Sequence, residues 1–370
     1  MTLNRRQALA ALGTAAAGLA MPNIRRARAA SGTVNVYNWA DYIGEKTIAN
    51  FTAETGVKVV YDLYASSEEM EAKMLAGSSG YDVVLQAGLK LPQMIKAKVY
   101  QKLDKSKLGN WGNLDPEILA ILQGFDPGND YGVPYTWGSV GFTYNLDMVK
   151  KRLPDADLNS LDTIFNPDNA KKLADCGISI LDSPTDVGPM VMKWLGIDPN
   201  KAGPDDYKKL AEAFAKIRPQ ITTFDNSNYL TTLPNGEACA VNSWSGDYSV
   251  AKKRAADAGI KIDLAYFVPK TGAPAWFDTW AIPSDSKNLE NAYLFLNYLL
   301  RPDVIADCTN FIGYANANKA ATPLVDPATV NNPAIYPDAE TRARLFTLSP
   351  PTPEQEEALT RTWTEIKTGG

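Results

Sequence analysis

The chain contains no histidine. That absence excludes Ser-His-Asp and Cys-His catalysis and every histidine-ligated metal site. Cysteine is nearly as scarce. The three residues Cys176, Cys239 and Cys308 are too scattered to form a zinc cluster. Long apolar runs are also missing. Past the first residues no segment reaches the roughly 18 consecutive apolar residues of a membrane span, so the mature chain is expected to be soluble. No internal repeat or low-complexity tract follows the N-terminal segment. Chemistry by carboxylates alone, a calcium site, and any binding function survive these exclusions.

Residues 1–29 read as an export signal. Asn4-Arg5-Arg6-Gln7 precedes an alanine-rich run to Met21, and Ala27-Arg28-Ala29 offers a small-x-small cleavage site. The adjacent arginines resemble a twin-arginine signal, with an ordinary secretory signal as the alternative. Removing this segment takes away five arginines and no acid, moving the formal charge from −5 to −10. A net acidic protein is poorly suited to nucleic-acid phosphates. It is better suited to cations.

An odd cysteine count in an exported protein fits one pair and one spare. Cys176 precedes the apolar run Ile178–Leu181, and Cys239 sits inside Ala238–Val241. One bridge could staple these two strand starts. Cys308 lies in a helical pattern and reads as a small core residue. Three reduced, buried thiols are the alternative.

A length of 370 residues favours two lobes. Expected strands at Val34–Tyr37, Val57–Leu63 and Tyr81–Leu85 alternate with a helix over Ile43–Thr55 and another opened by the capping box Ser66-x-x-Glu69. A second α/β set follows, with strands at Ile178–Leu181 and Ala238–Asn242 and helices opening at Pro184 and Asp205. Tyr131–Asn145 and Ala265–Pro283 are extended and rich in aromatic residues, and read as crossings between lobes. The expected fold is therefore α/β and two-lobed. Each lobe is a mainly parallel sheet flanked by helices, and two hinge crossings leave a cleft between them. The expected bounds are 30–138 with 279–322 for the first lobe, and 139–278 with 323–370 for the second.

The stretch VYNWADYIG, residues 36–44, crowds Trp39 and Tyr42 around Asp41 just past a strand. Similar groupings recur at Trp244-Ser245-Gly246-Asp247, at Trp276-Phe277-Asp278, at the strand end leading to Asp186, and at Tyr314. Helix capping would explain Asp41 or Asp247, and first-turn placement would explain Asp186. Trp39 and Trp244 could be core residues. No helix begins at Asp278. Taken together, the groupings suit an alkylammonium ion. Its buried charge needs a carboxylate, because an unpaired one costs several kcal/mol. Its methylenes gain about 0.8 kcal/mol each on leaving water. A ring face adds roughly 0.5–2 kcal/mol. A ligand with several amines needs carboxylates spread along an aromatic trough. The rivals are a binding protein for another small cation or a sugar, and a carboxylate-pair glycoside hydrolase.

The chain resembles the periplasmic polyamine-binding proteins of ABC importers, the putrescine- and spermidine-binding proteins. The resemblance runs from about Val34 to the C-terminus. YNWADYI at 37–43, FTAETGVKVVYD at 51–62, KMLAGSSGYDVV at 73–84, NGEACAVNSWSGD at 235–247 and AWFDTWAIP at 275–283 carry it, with FLNYLLRPDV at 295–304 and YANANKAATPLV at 314–325. It implies a hinge-closing fold of the second periplasmic-binding-protein type, a polyamine ligand, an inner-membrane permease as partner, a monomer, and neither catalysis, cofactor nor metal. Position by position, it implies ligand contacts from Trp39, Asp41, Tyr42, Trp244, Asp247, Trp276, Asp278 and Tyr314. Asp186 stands where the family tends to have Glu. Cys176 and Cys239 match a disulfide of putrescine-type relatives. Ala40 and Ala87 line the pocket where those relatives have Ser. Trp276 stands where putrescine-type members have Phe and spermidine-type members have Trp. That leans the specificity towards spermidine or mixed polyamines, although the sequence as a whole is closer to the putrescine type.

Overall fold

The computed structural model describes residues 32–369. The expected export signal lies outside them. The first elements alternate as β1 (Thr33–Trp39), α1 (Thr47–Thr55), β2 (Lys58–Tyr64), α2 (Ser67–Leu75) and β3 (Val83–Ala87). β1 runs parallel to both β2 and β3. Gly56, in the left-handed region with φ 77°, ends α1. Ser66 Oγ accepts from the Glu69 amide at 3.1 Å to open α2, and the Glu69 carboxylate accepts from the Ala65 amide at 2.9 Å. The reciprocal half of the expected capping box thus falls one residue earlier. Asp115 caps α3 (Pro116–Leu122).

The long strand β4 (Gly132–Asn145) leads into the second set. This set comprises β5 (Ile178–Ile180), α4 (Pro184–Trp194), α5 (Pro204–Ala215), β6 (Thr223–Phe224), β7 (Ala240–Trp244), α6 (Asp247–Asp257) and β8 (Leu264–Phe267). β9 (Ala273–Ala281) returns to the first set, followed by α7 (Leu289–Leu299), α8 (Pro302–Ile312) and β10 (Ala315–Asn316). β11 (Leu345–Phe346) and α9 (Pro353–Thr368) complete the chain.

The strand order is β2-β1-β3-β9-β4-β7-β5-β6. β4 serves both lobes. Its first half pairs with β9 and β10, and its second half, Val140–Asn145, pairs with β7 and β8. β9 lies antiparallel between β3 and β4, and its start takes β11 as partner. The molecule is therefore two-lobed, with parallel outer strands and two antiparallel crossings in the middle. The second expected crossing resolves into two strands. β8 stays in the second lobe as a partner of β4, and β9 alone crosses.

The first lobe buries both faces of its sheet. Phe51, Tyr135, Trp280 and Phe295 fill one side, and Tyr37, Met70 and Met94 fill the other. The second core gathers Phe142, Ile180, Phe214 and Trp363. Phe277, Val325 and Tyr336 pack on the first core, so chain on both sides of 278/279 and 322/323 contributes to that lobe. Cys176 and Cys239 form a disulfide with Cα atoms 5.5 Å apart, beside the paired starts of β5 and β7. Cys308 is a buried free thiol accepting from the Gly44 amide at 3.3 Å. Among the described residues no helix is long and apolar enough to cross a membrane.

Candidate functional site

The sheet order brings the ends of β1, β3 and β7 together along the two crossing strands. Asp278 stands on β9, and its cross-strand partner on β3 is Ala87. Its Oδ2 accepts from the Tyr42 hydroxyl at 2.9 Å. Tyr42 spends its single proton there. Thr136 Oγ1, 2.7 Å away, therefore donates to Tyr42. Thr136 can reach because the β4–β9 register shifts between Pro134 and Trp137.

Two further carboxylates come from the second lobe. Asp186, in the first turn of α4, accepts at Oδ2 from Ser183 Oγ at 2.8 Å and from Trp244 Nε1 at 3.0 Å. Asp247 opens α6. It accepts at Oδ2 from Tyr229 and at Oδ1 from Tyr314 at 2.5 Å. Its side chain makes no capping bond to the helix backbone. Among the described residues, Oδ1 of Asp186 and Oδ1 of Asp278 receive no hydrogen bond from the protein.

Aromatic rings join these acids across the lobes. Tyr314 belongs to the first core, and its ring lies 5.7 Å from Tyr42 and 5.1 Å from Trp276. Its hydroxyl spans to Asp247 in the second lobe. Gly246 permits this approach. A Cβ there would lie 2.5 Å from a ring carbon of Tyr314. Gly138 does the same for Trp276, whose ring would meet a Cβ at 2.5 Å. The Tyr314–Asp247 bond thus ties the first core to the second lobe.

The electrostatics follow from burial. Loss of water pushes the Asp278 carboxyl up to about 7, offset in part by the Tyr42 hydrogen bond and reinforced by the charge of Asp186. Burial also raises Asp186 above the usual carboxylate range, against the Ser183 and Trp244 bonds. It raises Asp247 despite two tyrosine donors and the pull of Arg254. Among the described residues none of the three acids forms an ion pair with lysine or arginine. They are desolvated carboxyl groups without a salt-bridge partner among the described residues. No group of His, Cys, Asp and Glu suited to a metal ion occurs among the described residues.

Five of the expected site residues, Tyr42, Asp247, Trp276, Asp278 and Tyr314, are thus linked in one network by hydrogen bonds and ring contacts, while Asp186 and Trp244 form a separate bonded pair whose charge is felt at Asp278. Ala87 faces it from β3. Trp39 is half-buried against Tyr64, with ring centroids 4.3 Å apart, and Tyr64 in turn feels the Asp278 charge. Ala40 and Asp41 are exposed and make none of these contacts. Asp41 takes a left-handed turn at φ 53° and caps nothing, since α1 begins beyond Lys46. Thr136, Ser183 and Tyr229 were not singled out from the sequence. Ser183 lies between the expected strand Ile178–Leu181 and Asp186, but Thr136 depends on a register shift. Tyr229 follows a polar stretch that carries no strand signal.

The chain is thus a two-lobed protein whose three desolvated acids and aromatic rings gather where the lobes meet. The chain belongs to the bacterial extracellular solute-binding proteins, whose family model matches residues 46–337. It is 47% identical over 345 residues to the putrescine-binding periplasmic protein SpuD of Pseudomonas aeruginosa, covering 93% of this chain and 94% of that one. It is 45% identical over 359 residues to the putrescine-binding periplasmic protein PotF of Escherichia coli, covering 96% and 97%. Among solved structures it is similar to the spermidine/putrescine ABC transporter substrate-binding protein PotD from Streptococcus pneumoniae. There the TM-score is 0.78 and the identity 27%, over 91% of this chain and 99% of the other.

Proposed function

We propose that this protein is the periplasmic solute-binding component of an ABC importer. It captures protonated putrescine or spermidine between its lobes and delivers it to a membrane permease. It works as a monomer, and the Arg5-Arg6 pair favours export by the twin-arginine route. The lobes divide near Gly138 on β4 and Trp276 on β9, the strands shared by both sheets.

One observation carries the reading. Three half-buried carboxylates from two lobes are raised by desolvation, form no salt bridge among the described residues, and stand among tryptophan and tyrosine rings. A neutral sugar would leave these charges unpaired at a cost of several kcal/mol, whereas an amine at each end of a polyamine pairs them. The unbonded Oδ1 atoms of Asp186 and Asp278 offer acceptors to ammonium donors, and the rings take the methylenes. The first lobe supplies Trp39, Tyr42, Asp278, Tyr314 and the exposed carboxylate of Asp41. The second supplies Asp186, Trp244 and Asp247. Small residues at Ala40 and Ala87 and a broad ring at Trp276 favour spermidine or a mixed range over putrescine alone. Putrescine-binding relatives at 45–47% identity support the polyamine class.

Calorimetry of the mature protein against putrescine, spermidine, cadaverine, betaine and a sugar panel tests the reading. Heat with polyamines only is expected. No heat with any polyamine, or tight binding of a sugar, refutes it.

Closure gives a second expected result. A methyl at Gly246 would collide with the Tyr314 ring that reaches it from the other lobe, and the backbone there, with φ −71°, accepts alanine. Gly246→Ala should weaken polyamine binding about tenfold by disfavouring the closed state. The melting temperature of the empty protein should stay unchanged. Wild-type affinity in this variant would show that Tyr314 does not need to reach Asp247.

A further inference from the structure

We propose that Lys90 is a latch of the closed state, setting polyamine affinity from outside the ligand site by holding Glu356 of the opposite lobe. This rests on the ligand reading above. Lys90 ends the short turn Gly88–Lys90 that continues β3, three residues beyond Ala87. Glu356 lies in the first turn of α9, a helix packed on the second core and opened by a capping box from Thr352 and Gln355. The two side chains form an ion pair. Every other ion pair among the described residues joins groups within one lobe.

Both ends of the pair are rigidly placed. The Lys90 turn is pressed against β9, where a Cβ on Gly88 would lie 2.8 Å from the Phe277 carbonyl oxygen, one residue before Asp278. Lys90 is largely covered, with 19% of its side chain exposed against 41% for Glu356. It therefore escapes part of the screening that makes most surface pairs worth little.

A third charge sharpens the device. Glu71, on α2 of the first lobe, accepts a hydrogen bond from Gln86 Nε2 at 3.4 Å. Burial raises its carboxyl, Lys90 draws it down, and Glu356 pushes it up. Lys90 thus stands between an acid of its own lobe and an acid of the other. When the lobes part, it keeps Glu71 and loses Glu356. When they close, it stands between two carboxylates that would otherwise repel across the gap. Removing the lysine turns attraction into repulsion, whereas removing Glu356 only deletes the attraction.

This asymmetry is the test. At low ionic strength, where such pairs are least screened, spermidine affinity is measured by calorimetry on four proteins. Lys90→Met should bind about tenfold more weakly than wild type, and Glu356→Gln about threefold more weakly. Adding Glu71→Gln to Lys90→Met should recover about half of the loss on a logarithmic scale. Spermidine and putrescine should weaken by the same factor, because neither ligand touches the latch. Affinities within twofold of wild type for both single variants overturn the proposal. So do equal losses with no recovery from Glu71→Gln. Failure of the wild-type protein to bind any polyamine would instead overturn the underlying ligand reading, and that result is visible before any variant is made.

Discussion

Asp278→Asn should lower polyamine affinity by about 100-fold. Breaking a buried ion pair by removing one partner costs about 3–5 kcal/mol. Part of that is returned, because the empty variant no longer holds a desolvated carboxylate. A net loss of about 2.7 kcal/mol remains, which is a factor of about 100. The isosteric amide can still accept the Tyr42 hydroxyl, so the local architecture should survive. The empty variant should also melt no lower than wild type at pH 8, since a group whose ionisation opposed folding is gone. Calorimetry reads the first effect and thermal unfolding the second. Polyamine affinity within threefold of wild type would remove Asp278 from the site. A lowered melting temperature would show that the residue is structural.

The pH dependence of binding should be nearly as large. The Asp278 carboxyl keeps its proton up to about 7, well above the usual value of 3.8. Between these values the folded chain holds a proton that the unfolded chain has released. The stability of the empty protein therefore falls as pH rises from about 4 to 7, and levels off above that. Binding runs the other way. An ammonium pairs with the ionised acid, so capture below pH 7 expels the proton and affinity falls as pH is lowered. A single group with this value loses about 50-fold between pH 7 and pH 5. Burial raises Asp186 and Asp247 too, which adds in the same direction. The ligand is not the source, since alkylamines stay protonated until about 10.4. Titrations in buffers of different ionisation heat should show proton release at pH 6 and almost none at pH 8. Asp278→Asn should flatten much of the curve. Equal wild-type affinity at pH 5 and pH 8 would contradict the account.

Much of this architecture is legible in the sequence for local reasons. Alternation of apolar strands with capped helices marks both lobes. The extended stretch Tyr131–Asn145 is a single strand shared by both sheets because it carries no helix signal anywhere along its length. The second crossing is less legible, since Ala265–Pro283 holds two strands whose partners differ and only pairing tells them apart. At the site, acids after strand ends were visible as types, and Trp244, Asp247 and Asp278 took their places beside partners from distant chain. Their hydroxyl donors were not visible. Tyr229 reaches Asp247 across a sequence separation of 18, and Thr136 depends on a register irregularity that no single-residue pattern encodes. Asp41 shows the opposite case. Its setting in VYNWADYIG looked the most suggestive, yet the carboxylate is exposed, and it is the neighbouring Tyr42 that reaches inward to Asp278.

A crystal structure of the mature protein grown with spermidine shows directly where the amines sit. An extended polyamine is expected between closed lobes. One terminal nitrogen should lie within about 3 Å of Asp278, another within that distance of Asp186 or Asp247, and the methylenes should run along Trp244, Trp276 and Tyr314. Density for the ligand outside the cleft, or amines paired with none of the three carboxylates, would contradict it.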